Sequence, residues 1–573
     1  MAAAGVPLGS GFMITVHSAL LGLSGTDVLE CRNDLFPLLF GIDPGGERYV
    51  DPFKGGVWDV QHFKQFSALT LEFDAGINVL IGDNETGKSS VLLALDLALS
   101  ASRSRVETIG YESLLSQSAV RAFKAGPTTL DRLPRVVVEV FLEEGDDQGY
   151  YGTQNLAGAM TDGVGMEIAP LIEEFGATIL QLLAEDPENF PYEYYGVKFY
   201  TFSGAQHVNY RRPVKHLLLD SSRIDSEYAA REYTRTVFSF NAEPPERYSL
   251  ENRYRRGKES FRDKELATLN AELGAYQFGV RTSIRSNLET DLIITKDGIP
   301  IENRGKGEQC FIKTEFALRR HDAKGELHAL LLEEPENHLS HTKMKQLVEQ
   351  LSKTAGTQLF IATHSSHICS RLDLRHALLL GGDQKAGRLK ALSEPTASFF
   401  MKAPDNNVLE FALSKKVILV EGDAEFILIE EMYKKHANGR TPQSDEVHII
   451  SIGGTSFKRY LELGKLLGIR VAAIRDNDGD YDIHCVENYA EHLYGQGKIF
   501  ADPDNRRSTF EIGLYQDNKA VCDGLFAAGR KKLTVQEYML KNKADAAFEL
   551  LTKKGAELIA PQYIQDAITW INE

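Results

Sequence analysis

The chain reads as an α/β protein in two successive parts: a P-loop nucleotide-binding part, then a second parallel-sheet part with carboxylates at its strand ends. Three stretches predict this. GDNETGKSS (82–90) lies between an apolar strand-like run and an apolar helix-like run; VILVEGDAE (417–425) is an apolar strand that ends in a turn and two carboxylates; RDNDGD (475–480) follows a second apolar run, Ile469 to Ile474. Short apolar runs alternating with longer amphipathic stretches are the signature of a parallel sheet flanked by helices.

At 573 residues, 43% hydrophobic and 25% charged, the chain has the composition of a globular protein with several cores. The five cysteines (Cys31, Cys310, Cys369, Cys485, Cys522) show no CxxC pairing, which points to a reducing, cytoplasmic setting. No apolar run reaches the roughly 20 residues needed to span a bilayer, and MAAAGVPLGSGF lacks the basic start of a signal peptide. A net charge of −17 excludes a protein that coats DNA indiscriminately, since phosphate binding is driven by Lys and Arg. The densest basic segment, RYRRGKESFRDK (253–264), is laced with Glu259 and Asp263 and reads as a solvated helix.

Residues 1–45 form an N-terminal extension of unknown role; MITVHSALLGL within it fits a strand or a short helix, and Asp43 to Gly46 a turn. The runs VWDVQHF, ALTLEF and INVLI then lead into the phosphate loop. Gly82, Gly87, Lys88 and Ser89 match GxxxxGK[ST]. The glycines admit backbone N–H groups to the phosphates, Lys88 reaches the β- and γ-phosphates and Ser89 binds Mg²⁺; Asn84 and Ser90 belong to the same ATP-binding loop. A second apolar run, ALLL (329–332), ends in Glu333, in the position that holds Mg²⁺, and Glu334, in the position that orients the attacking water. A third, Gln358 to Ala362, presents Thr363 and His364. Ahead of the acidic run, RGKGEQ (304–309) precedes the helix-like CFIKTEFAL; the glycine pair Gly305 and Gly307, with Glu308 next to them, can hold a γ-phosphate at a helix N-terminus.

In the second part, Val417 to Val420 make a buried strand, Gly422 a tight turn, and Asp423-Ala424-Glu425 opens a helix. Glu421 and Glu425 therefore stand at the carboxyl end of a strand, where open α/β sheets place ligands. Asp476, Asp478 and Asp480 arrive from the next strand, and residues two apart at a strand end project to one side. Carboxylates gathered this closely repel one another unless a hard cation such as Mg²⁺ or Mn²⁺ lies among them. His448 to Gly454 adds a strand candidate ending in a glycine turn, and residues 395–412 read as a linker.

EGDAE after one apolar strand and DNDGD after another resemble the Toprim fold of topoisomerases, bacterial primases and certain nucleases. Thr509-Phe510-Glu511, LKNKADAAFELL and PQYIQDAITWI are similar to the C-terminal part of OLD-family (overcoming lysogenization defect) nucleases, including Gabija-type and retron-associated members. That resemblance covers residues 57–573. It implies an ABC-type P-loop ATPase domain (46–400) with His364 at the γ-phosphate, a degenerate signature loop at 304–309, an α-helical dimerisation insertion (155–285) and a Toprim nuclease domain (413–573). It implies a two-metal Mg²⁺ or Mn²⁺ site of Glu421, Glu425, Asp476, Asp478, Asp480, Thr509 and Glu511, Mg²⁺ with ATP, and Lys543 as the cation beside the scissile phosphate, with Lys541 as the alternative. The implied activity is ATP-regulated DNA cleavage in prokaryotic anti-phage defence. The implied partners are DNA, a second copy of the chain or a larger homo-oligomer, and a defence protein or reverse transcriptase with noncoding RNA. Two other readings stand beside it. One is a non-catalytic ATP-driven DNA sensor; the other is a topoisomerase- or primase-type Toprim enzyme, although no DNA-gate domain or Cys/His zinc cluster is evident.

Overall fold

The structure, a computed structural model, describes residues 13–17, 62–142, 148–208, 214–223, 227–273, 276–281, 288–319, 327–353, 357–381, 386–403, 407–454, 456–528 and 532–573. The run VWDVQHF up to residue 61, the turn at Asp43 to Gly46 and Cys31 lie outside them. The chain forms two compact units: one runs to His364 and takes in Leu380–Ala386, the other holds Ser365–Leu379 and Gly387–Glu573.

Among the described residues, the first unit contains two large sheets and a small two-stranded one, Thr295–Lys296 with Ile299–Pro300. Strands β1 (Met13–His17) and β2 (Leu69–Leu71) pair antiparallel, while β3 (Ile77–Ile81) leads into helix α1 (Lys88–Ser100). The antiparallel sheet continues from β1 through β4 (Val136–Phe141) and β5 (Thr161–Pro170). Helix α2 (Ile172–Glu185) leads to β6 (Tyr195–Thr201), which pairs with β5. The parallel sheet carries the nucleotide motifs. Beyond β7 (His216–Asp220) come helices α3 (Glu227–Asn241), α4 (Pro244–Lys264) and α5 (Lys306–Arg319), then β8 (Ala329–Glu333), α6 (His341–Lys353) and β9 (Gln358–Ala362). Strands β3, β9, β8 and β7 lie side by side in that order, all parallel. Helix α1 packs on both sheets, and its sequence KSSVLLALDLALS is apolar on every face accordingly. Its one buried acid, Asp96, is answered by His216 at 3.1 Å and Arg105 at 2.9 Å; a buried charge of this kind persists only when paired.

The region 155–285, expected as a helical insertion, is helical only in part. Its first half supplies β5 and β6 to one sheet and β7 to the other, and α3 and α4 follow from Glu227 onward. The physical reason lies in the glycines of TDGVGMEIAP, which blur the alternation of a strand. A Cβ on Gly163 would meet the Phe202 ring at 2.1 Å and one on Gly165 the Tyr200 ring at 2.3 Å, so each glycine admits an aromatic side chain against the strand.

The second unit begins with α7 (Ser366–Arg371), α8 (Glu394–Lys402) and α9 (Val408–Leu413). The stretch expected as a linker at 395–412 is thus two helices, apart from 404–406, which lie outside the described residues. Phe400 and Phe411 both stack edge-on against Tyr460, and Glu462 accepts hydrogen bonds from Ser393 N at 2.7 Å and Ser393 Oγ at 3.0 Å. Strand β10 (Lys416–Val420), α10 (Asp423–His436), β11 (Val447–Ser451), α11 (Phe457–Leu467), β12 (Arg470–Ile474) and β13 (Gly497–Phe500) build a four-stranded sheet in the order β11-β10-β12-β13, all parallel. Helices α12 (Phe510–Asp517), α13 (Lys519–Phe526), α14 (Val535–Lys541), α15 (Lys543–Lys554) and α16 (Gln562–Asn572) close one face over a core of Ile418, Val420, Leu428, Phe510, Leu550 and Ile568.

Candidate functional site

In the first unit the phosphate loop stands between β3 and α1. Gly87 has φ 101°, in the left-handed region, and a Cβ there would lie 2.2 Å from the Phe66 ring. Lys88 is buried; its ammonium donates to the carbonyls of Gly82 at 2.8 Å and Asp83 at 2.9 Å, so the loop is wrapped around its own cation. Burial lowers its pKa, partly offset by the charges of Glu334, Asp83, Glu333 and Glu336, and these carboxylates belong to the same electrostatic neighbourhood. Asn84 is exposed on the loop and Ser89 in the first turn of α1, while Ser90 is turned inward to Gln65 Oε1 at 3.0 Å.

Glu333 ends β8 level with Asp220 on one side and Ala362 on the other. Glu334 has φ 44°. Its N–H donates to Ala362 O at 2.8 Å, its carboxylate accepts from Asn337 at 2.6 Å, and His364 Nε2 stands 3.6 Å from it. Sequence reading missed Glu336. Its Oε1 accepts from the Thr363 hydroxyl and, at 3.0 Å, from His364 N–H, so it joins the acidic turn to the loop that carries the histidine. The signature helix starts at Lys306, earlier than the run CFIKTEFAL; Gly307 and Glu308 lie in its first turn, and Arg304 is engaged with Glu308 at 2.7 Å. Gly305 has open space around it, whereas a Cβ on Gly307 would meet His338 O at 2.1 Å.

The carboxylates of the second unit meet at the carboxyl ends of β10 and β12. Glu421 follows β10; its Oε2 accepts from Asp476 N–H at 3.4 Å, and its own carbonyl accepts from Gly454 in the glycine turn at 3.0 Å. Gly422 is extended (φ −145°), so the turn expected there needs no left-handed glycine; Gly453 and Gly454 are the positions with positive φ, at 61° and 139°. Asp476 Oδ1 accepts from Phe510 N–H at 2.7 Å, which ties β12 to the start of α12 and brings Thr509 and Glu511 to the site. Lys543 Nζ stands 3.0 Å from Glu511 Oε1. Lys541, the alternative, lies exposed at the end of α14.

Burial, then the neighbouring charges, dominate the electrostatics. Asp476 is pushed up to about 8 by burial and by Glu425, Glu421 and Glu511. Glu425 is pushed up to about 7 by burial, Glu511 and Glu421. Glu421 is raised chiefly by burial, against the Asp476 N–H bond and the Arg475 charge. For Lys543, burial acts downward but Glu511, Asp476 and Glu425 prevail and raise it. Tyr563, which sequence reading missed, brings a buried phenol from α16; burial and then Asp476, Glu425, Asp502 and Glu511 raise its pKa well above the ordinary value.

Two predicted members are placed differently. Asp478 has φ 52° and gives Oδ2 to Arg475 at 2.6 Å, and Asp480 Oδ1 accepts from Ile483 N–H at 3.1 Å, a local cap. Neither continues the strand, so residues two apart no longer project to one side. Among the described residues no three His, Cys, Asp or Glu side chains are drawn together closely enough to hold a metal ion as they stand. The donor set nonetheless fits a hard cation. Thr509 Oγ1 is buried without a hydrogen-bond partner, both Glu511 oxygens are buried with only the Lys543 charge against them, and every donor is an oxygen.

No helix of the described residues is long and apolar enough to cross a membrane. Residues 413–478 match the family "Overcoming lysogenization defect protein-like, TOPRIM domain". Residues 59–174 match an AAA domain, and residues 296–370 match "AAA domain, putative AbiEii toxin, Type IV TA system". No curated protein matches the chain. Similar solved structures include the C-terminal region of the Burkholderia pseudomallei OLD protein (18% identity, 28% of this chain and 97% of that chain, TM-score 0.23). Others are the corresponding region of the Xanthomonas campestris pv. campestris OLD protein (18%, 28% and 95%, 0.21) and the SMC head domain from Thermotoga maritima (15%, 56% and 91%, 0.25). With AAA-domain matches ahead of an OLD-like Toprim domain, the chain has the ATPase–Toprim architecture of OLD-family proteins.

Proposed function

We propose that the chain is an ATP-regulated, divalent-metal-dependent DNA endonuclease that nicks or cleaves its substrate, acting in prokaryotic anti-phage defence. The observation that carries this reading is the gathering of Glu421, Glu425, Asp476 and Glu511 at the carboxyl ends of the central strands β10 and β12, with the Lys543 ammonium beside Glu511. A structural role does not call for several buried carboxylates that raise one another's pKa, because one ammonium, on Lys543, faces the group of like charges. The defence role rests on the family.

Glu421, Glu425, Asp476, Asp478, Thr509 and Glu511 would hold Mg²⁺ or Mn²⁺, which when bound supplies an activated water and charge neutralisation at the leaving 3′ oxygen of a phosphodiester. The rest falls to the chain. Lys543 sets a positive charge where a phosphate enters. The Asp476 bond to the start of α12 keeps Glu511 in register with Glu421, and burial of Glu425 and Asp476 keeps bulk water out. In the first unit, Lys88, Ser89 and Glu333 bind ATP with Mg²⁺, Glu334 orients water, and nucleotide shared across two copies regulates cleavage.

The test is cleavage of supercoiled plasmid by the purified chain with Mg²⁺ or Mn²⁺, with and without ATP, beside Glu421→Ala. Metal-dependent nicking or linearisation that the variant lacks is expected. Plasmid left intact under every metal, with ATP turnover present, would shift the reading to a DNA sensor.

A further inference from the structure

One buried cation in the second unit has no part in the proposed cleavage chemistry. Arg475 is the residue between the end of β12 and Asp476, and only 5% of it is exposed. Its backbone N–H already continues the sheet, donating to Phe500 O at 3.0 Å. Its guanidinium makes four further bonds: Nε to the carbonyl of Asp476 at 2.8 Å, one NH2 bond to Asp478 Oδ2 at 2.6 Å, and NH1 bonds to His484 O at 3.1 Å and Tyr489 Oη at 3.0 Å. The planar fork of arginine suits this and an ammonium does not, because the donors must point in fixed, divergent directions at once.

These partners are not scattered. Two lie on the segment 476–478 itself, and the others lie on the turn Asp482–Val486 and on Tyr489, so the guanidinium closes the loop DNDGD onto the helical turns C-terminal to it. Asp478 needs such a restraint. It is a non-glycine residue at φ 52°, in the left-handed region, followed by Gly479 at φ 86°; a strained backbone of this kind persists only where its surroundings over-determine it. Asn477 pins the loop from the other side through Asp502 O at 2.7 Å, Asp504 O at 3.1 Å and Gly479 N–H at 2.8 Å. Arg475 is the one hydrogen-bond partner of the Asp478 carboxylate among the described residues, and it takes Oδ2 alone, which leaves Oδ1 for another ligand.

We infer that Arg475 is a positioning residue for the carboxylate site: its buried guanidinium fixes the Asp476–Asp478 segment and presents Asp478 to a divalent cation by one oxygen. This rests on the metal-site reading of the second unit. Residues that orient metal ligands without touching the metal typically change affinity by about 10- to 100-fold when replaced.

The experiment uses the full chain without nucleotide. Mn²⁺ binding is followed by calorimetry and plasmid nicking is titrated with Mn²⁺ for the parent, R475Q, R475K, D478N and the double variant R475Q/D478N. Urea unfolding of each variant, compared with the parent, reports that the fold of the second unit is intact. The expected result is a rise of about 10-fold or more in half-saturating Mn²⁺ for R475Q, a similar rise for D478N, and a double variant no worse than D478N. R475K, which keeps the charge and loses the fork, falls between parent and R475Q. Should R475Q fail to fold, R475K against D478N carries the same comparison. Parental Mn²⁺ dependence in R475Q, or a double variant equal to the product of the singles, would overturn the positioning role while leaving the metal site standing. A parent that neither binds Mn²⁺ nor nicks plasmid would overturn the metal-site reading and this inference with it.

Discussion

Glu139 shows what burial does to one side chain held by hydrogen bonds. It lies on β4 with no exposed surface, accepts from Tyr200 Oη at 2.9 Å and Leu156 N–H at 3.1 Å, and is pushed up to about 7 by burial against those two bonds. Its folded-state pKa is raised, so the folded chain binds the extra proton between the ordinary carboxylate value and about 7, and stability falls as pH rises through that window. Glu139→Gln keeps both acceptor bonds and removes the titration. It should match the parent at pH 5 and exceed it by on the order of 3 kcal/mol at pH 8. Urea unfolding at the two pH values measures this, and an equal difference at both would show that the carboxyl is not the titrating group. Single residues of the sites were legible where a motif names them: Lys88, Glu334, Glu421 and Asp476. Glu336, Arg475 and Tyr563 were not, because each acts through partners that are distant in the chain or through a conformation that no spacing encodes.

At the scale of elements, α5 carries a conflict between propensity and packing. Alanine in place of Gly307 would favour the helix by about 1 kcal/mol. Its Cβ would meet His338 O at 2.1 Å, and overpacking against backbone costs roughly 1–3 kcal/mol. The second effect should prevail, so Gly307→Ala is expected to lower the melting temperature and ATP turnover. A variant that melts higher than the parent would mean that the close approach is not needed. Short buried strands were legible to the residue: β9 matches the expected Gln358 to Ala362. The strand β5 was not, since Gly163 and Gly165, packed against the Phe202 and Tyr200 rings, interrupt the apolar alternation that marks a strand.

For the whole molecule, the two units predict separable variants. Lys88→Ala removes the cation around which the phosphate loop is wrapped and should abolish ATP binding while leaving Mn²⁺ binding intact. Glu421→Ala should do the reverse. Glu334→Gln should slow ATP turnover by about 100-fold or more and, with ATP retained between two copies, roughly double the mass seen by light scattering. Lys88→Ala should show no such change. A Glu334→Gln chain that stays at monomer mass with ATP bound would remove the shared-nucleotide arrangement from the proposed function.

What the sequence determined by itself was the order of the parts and the chemistry of their loops, because a P-loop and an acidic strand end are local. The residues concerned are neighbours in the chain, and the backbone geometry they need is encoded within a few positions. What only the tertiary structure decided was the company those residues keep. Asp476 meets Phe510, Lys543 meets Glu511, and Asp478 turns back to Arg475 instead of continuing its strand. Those pairings depend on how helices close over a sheet and on how a buried charge finds a partner, and both are properties of packing between segments far apart in sequence.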